Sequence, residues 1–70
     1  MQTWWHGGRL QRARQGRGLT QAELARIVGM HVMTISRMER GERRPSLPTL
    51  RRLAKALRVP GADLVPALRQ

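Results

Sequence analysis

Residues 21–40, QAELARIVGMHVMTISRMER, constrain this chain more than any other stretch. Two short helices that cross at a steep angle need a small side chain where they touch, and Ala25 stands at that place. Gly29 then supplies the turn, because glycine alone reaches a positive φ angle at little cost. Leu24 and Val28 precede the turn, Met30 lies in it, and Ile35 and Met38 follow it, which are the positions that face inward in such a pair. Everything else in the unit is left for solvent or a partner.

This is the pattern of a helix-turn-helix, and the composition around it narrows the partner. Fourteen Lys and Arg against four acids give a net charge of +10 and a pI near 12.0, a density that attracts a polyanion. Thirteen of the fourteen cations are Arg, whose planar fork suits phosphate and guanine. GC-rich codons raise the same ratio, so the excess of Arg over Lys is weak evidence by itself and gains weight from the helix-turn-helix among these cations. Seventy residues lead to the expectation of one small domain, 1–70, with the helix-turn-helix at 21–40, and of neither a second folded module nor a buried catalytic cavity.

The absence of Cys excludes a disulfide framework and a thiolate zinc finger and fits a reducing compartment. No apolar run approaches a membrane span, and MQTWWHGG has no basic segment followed by a long apolar core, so the expectation is a cytoplasmic protein with no membrane partner. His6 has no second ligand at metal spacing, and neither histidine has a nucleophile or acid at a catalytic one. No enzyme activity, metal or cofactor is expected.

Helical spacing places a first helix from Gly8 to Arg17, with Leu10 and Ala13 as its apolar stripe. Thr20 and Glu23 have the spacing of a capping box at the start of a second helix that runs to about Val28. The third is expected from His31 to Arg40, stopping at Gly41, and the segment 42–45 is a basic loop. Ser46 is the expected cap of a fourth helix that carries Leu47, Leu50, Leu53, Ala54 and Leu57 on one face, with Pro48 harmless in its first turn. Pro60 and Gly61 break the chain before a short fifth helix holding Ala62, Leu64 and Val65. The fold class is all-α, five helices around one core.

The strings GRLQRAR, RGLTQAELA, TISRMERGERRPSLPTL and LAKALRV, in this order and spacing, resemble the Cro/CI-type (XRE-like) helix-turn-helix repressors of phages and bacteria over Gly8 to Val65. The resemblance implies a lambda-repressor-like domain that docks its third helix in the major groove of double-stranded DNA and acts as a transcriptional repressor. By position, Val32, Met33 and Arg37 look like base readers. Gln21 resembles the family residue that grips a phosphate at a helix N-terminus. His31, Thr34, Ser36, Arg40, Arg43 and Arg44 stand where phosphate contacts are expected, and Arg14 with Glu39 matches a structural ion pair between the first and third helices.

Three places depart from the family pattern. Arg58 replaces a glycine cap, Pro60-Gly61 replaces a polar cap, and His31, Val32 and Met33 replace polar readers, which shifts expected recognition toward thymine methyl groups and Arg37. Arg9, Arg12, Arg17, Arg51 and Arg52 read as solvated cations. A homodimer on a palindromic operator is expected, paired through Leu64, Val65 and Leu68 or through Trp4 and Trp5, at least one of which should pack beside the first helix. The alternative class is the antitoxin of a toxin–antitoxin pair, a protein-interaction module that also binds its own promoter.

Overall fold

The computed structural model describes residues 4–66, which form five helices: α1 (Gly7–Gly16), α2 (Gln21–Val28), α3 (Val32–Glu39), α4 (Leu47–Leu57) and α5 (Gly61–Leu64). Each of the three middle helices starts on a side-chain cap. Thr20 Oγ1 accepts from the Glu23 amide at 3.0 Å while Glu23 Oε1 accepts from the Thr20 amide at 2.8 Å, the reciprocal box that satisfies two orphan donors. His31 Nδ1 accepts from the Met33 amide at 3.1 Å, and Ser46 Oγ from the Thr49 amide at 3.3 Å. Pro48 falls in the first turn of α4, where its missing donor costs nothing.

The turn between α2 and α3 follows from Gly29, at φ 69 and ψ 37, with the Met30 amide closing back on the Ala25 carbonyl at 2.9 Å. Ala25, Leu24 and Val28 from α2 meet Ile35 and Met38 from α3 in a core completed by Leu10, Leu50, Leu53, Ala54 and Leu57. Met30 packs against its edge.

Several boundaries and faces differ from the sequence reading. α1 begins and ends one residue earlier, α3 is capped by His31 and Arg40 rather than including them, and Val65 lies just past α5. Leu47 is 47 % exposed, because it occupies the first residue of α4, ahead of the turn that reaches the core. Leu64, Val65 and Trp5 are buried in this chain's own core, where α5 packs on α1 and α4 and the N-terminal segment packs on the end of α3, so they present no surface to a second subunit. Leu68 lies outside the described residues.

Three of the arginines read as solvated hold helix ends instead. Arg17 Nε donates to the carbonyl of Leu57, the last residue of α4, at 2.8 Å, and Arg52 Nη1 to that of Val28, the last of α2, at 3.3 Å. Arg9 Nη1 donates to the backbone carbonyl of Asp63, in the single turn of α5, at 3.2 Å. Terminal carbonyls lack intrahelical partners, and a cation there also opposes the negative end of the helix dipole. Among the described residues, no helix is long and apolar enough to cross a membrane.

Candidate nucleic-acid interface

An eight-residue helix has little over two turns, so α3 can bury one side only if the rest is left bare. Ile35 and Met38 are fully buried and fix its roll about its axis. That roll turns Val32, Met33 and Arg37 outward, all three exposed, as expected of readers; Met33 is 48 % exposed. Thr34 and Ser36 are half-buried on the flanks.

The angle of α3 to its neighbours is set by a buried polar triad. Arg14 Nε donates to Glu39 Oε2 at 2.6 Å and Arg14 Nη2 to Glu39 Oε1 at 3.1 Å, a two-pronged bridge from α1 to α3 with the two residues only 8 % and 9 % exposed. Gln21 Nε2 donates to Glu39 Oε1 at 3.0 Å and ties in the first residue of α2. Arg14 Nη1 donates to the Leu19 carbonyl at 2.6 Å as well. The hydrogen bond to Glu39, helped by the charge of that carboxylate, holds the Arg14 guanidinium above its ordinary range despite burial. The structure therefore brings together the sequence-predicted pair and adds Gln21 to it. One Nε2 hydrogen of Gln21 is directed to Glu39, and the other is left for an external acceptor.

The cations of α3 and of the loop after it separate into two kinds. Arg40 is engaged within the fold: its Nε and Nη2 donate to Glu42 at 2.9 and 3.3 Å, and its Nη1 donates to Ser36 Oγ. Their mutual hydrogen bonds push Arg40 above and Glu42 below the usual ranges. Arg37, Arg43 and Arg44 are exposed, and no carboxylate pairs with them among the described residues. His31, with Nδ1 occupied as acceptor, keeps Nε2 for another partner.

The N-terminal segment buttresses the far end of α3, which sequence reading missed. Trp5 is 1 % exposed and its Nε1 donates to the Met38 carbonyl at 2.8 Å. Gly7 comes so close that a Cβ there would collide with the backbone carbonyls of Met38 and Glu39. The expected packing of one tryptophan is met by Trp5, and the further signal for the close approach to α3 was the glycine pair at the head of α1, a poor choice for a helix start unless another backbone approaches. Among the described residues, no group of His, Cys, Asp or Glu could hold a metal ion.

Comparison with known proteins agrees with this geometry. The helix-turn-helix family matches residues 10–64. An uncharacterized HTH-type transcriptional regulator of Sinorhizobium fredii, y4dJ, is 41% identical over 59 residues, 84% of this chain and 77% of the relative. The restriction-modification controller protein C.AhdI from Aeromonas hydrophila superposes with a TM-score of 0.79 at 36% identity, covering 83% of this chain and 88% of its own. The P22 c2 repressor, solved in complex with a synthetic operator, gives a TM-score of 0.81 at 33% identity over 90% of this chain and 96% of that one. On matched family, relatives and five-helix architecture together, the chain belongs to the Cro/CI-like (XRE-like) helix-turn-helix family of DNA-binding transcriptional regulators.

Proposed function

We propose that this chain is a sequence-specific repressor that binds double-stranded DNA with α3 in the major groove. The observation that carries the reading is the bare face of α3, where Val32, Met33 and the unpaired Arg37 stand together and uncharged side chains flank a single guanidinium. Arg37 is placed to fork onto the O6 and N7 of a guanine, and Val32 and Met33 to contact thymine methyl groups. Gln21, His31, Arg43 and Arg44 supply the donors suited to phosphate. Thr34, Ser36 and Arg40 are weaker phosphate candidates, since Ser36 and Arg40 already bond each other and Thr34 is half-buried.

One recognition helix reads only a few base pairs, so the chain is proposed to act as a homodimer on a palindromic operator with half-sites about 34 Å apart. Trp4 and the exposed Leu47 are the apolar groups left for pairing outside α2 and α3 among the described residues. Selection of bound duplexes from a random pool, followed by footprinting, tests the reading. The expected result is an inverted repeat protected in two adjacent segments. Recovery of no preferred sequence would remove the base-reading role, and a single protected half-site at saturation would remove the dimer.

A further inference from the structure

A half-exposed indole on a small soluble domain needs a reason, and Trp4, 42 % exposed, has one in its two neighbours. On one side it meets Trp5 edge-on, with ring centroids 6.2 Å apart and planes inclined by 68°. Trp5 is itself anchored to the last turn of α3 through the Met38 carbonyl. On the other side the guanidinium carbon of Arg44 lies over the Trp4 ring, 5.9 Å from its centroid. A continuous line of contacts thus runs from the end of α3 through Trp5 and Trp4 to the loop that follows α3. The same indole borders an open hollow with Arg43, Pro45, Ser46 and Thr49.

We infer that Trp4 is a positioning residue for Arg44, holding its guanidinium in the pose from which it binds a DNA phosphate. The inference rests on the proposed phosphate contact of Arg44. One observation and one physical argument favour it over an incidental contact. Glu42, the acid nearest in sequence, is taken up by both prongs of Arg40, so Arg44 has no carboxylate competing for it among the described residues. Attraction to an aromatic face draws on the cation's charge and leaves its planar fork of donors for an oxyanion. A long side chain free in solution must be immobilised when it meets a phosphate; one already seated on a ring, itself fixed to α3, loses less freedom on binding. The ring also sets the distance between the phosphate contact and the base-reading face.

Binding of a duplex obtained by selection, measured by fluorescence anisotropy across a salt series, tests this with Trp4→Leu, Trp4→Phe, Arg44→Ala and Trp4→Leu/Arg44→Ala. Trp4→Leu is expected to weaken binding about two- to tenfold, the range set by ordering one flexible side chain, with an unchanged salt slope. Trp4→Phe is expected to fall between it and the wild type. Arg44→Ala should weaken binding and lower the salt slope by about one phosphate, and adding Trp4→Leu to it should cost nothing further. The coupling between the two sites is the deciding readout, because a purely structural indole would lower affinity to the same extent in both backgrounds. Wild-type affinity in Trp4→Leu beside a weakened Arg44→Ala overturns the positioning role alone. An Arg44→Ala that binds as wild type with the same slope overturns the phosphate contact and the positioning role with it.

Discussion

Arg14, Arg37 and Arg44 share a side chain and differ in surroundings, and the differences dictate different losses on truncation. Arg37 stands bare on the outward face of α3. If it forks onto guanine, Arg37→Ala costs about 1–3 kcal/mol for the selected site, relaxes preference at one position per half-site and barely alters binding to random DNA. An equal loss for every duplex tested would make Arg37 a phosphate anchor. Arg14 is buried against Glu39 and serves the fold. Arg14→Ala leaves a buried carboxylate with only the Gln21 amide as partner, and a loss of about 3–5 kcal/mol in thermal or denaturant unfolding is expected, with DNA binding falling in parallel. The pairing of Arg14 with Glu39 and the outward placement of Arg37 were legible in the sequence because helical period and family spacing fix which way a side chain points. The tasks of Arg9, Arg17 and Arg52 were not, since the carbonyls they reach lie on other helices and carry no residue signature.

At the scale of elements, the N-caps of α2 and α4 were read correctly because they are local, a matter of residues three apart, whereas the approach of α1 to α3 is not. Gly7 is a contact between backbones 31 residues or more apart in sequence, and no periodicity encodes it. Gly7→Ala forces those backbones apart and should destabilise the fold by about 1–3 kcal/mol, the usual range for overpacking; a melting temperature equal to the wild type would show the approach to be looser than described. Among the described residues Arg58 is the one non-glycine residue with positive φ, 56°, at the C-cap of α4, and its side chain is exposed. A left-handed conformation costs an L-residue about 1–2 kcal/mol, so Arg58→Gly should raise the melting temperature even after the added freedom of the unfolded chain.

The capping box of α2 also titrates. Hydrogen bonds from the backbone and side chain of Thr20 hold the Glu23 carboxyl below its ordinary value of 4.5. A carboxyl depressed in the folded state adds stability that is present above the unfolded pKa and is lost as pH falls through the folded one. Wild type should therefore be more stable than Glu23→Gln at neutral pH, and the gap should close below about pH 4. A gap that stays constant down to pH 3 in thermal melts would show that the ionised carboxylate contributes nothing to the cap.

For the molecule as a whole, size and charge act together. A radius of gyration of 10.9 Å leaves a charge of +10 close to every point on the surface, so attraction to DNA extends beyond the residues that touch it. The same charge opposes the pairing of two free copies, and with Leu64, Val65 and Trp5 spent on the core, little apolar surface remains to overcome it. A monomer in solution that pairs on the operator, where phosphates neutralise both subunits, is the expected behaviour, checked by sedimentation with and without the duplex. The measurement that bears most directly on the proposed function is a salt titration of binding to the selected duplex and to a random duplex of equal length. The expected result is a linear fall of log K with log salt for both, at about −0.9 for each phosphate neutralised, with the selected duplex bound tighter at every salt concentration. A slope near zero, or two coincident lines, would contradict a sequence-reading, phosphate-anchored domain.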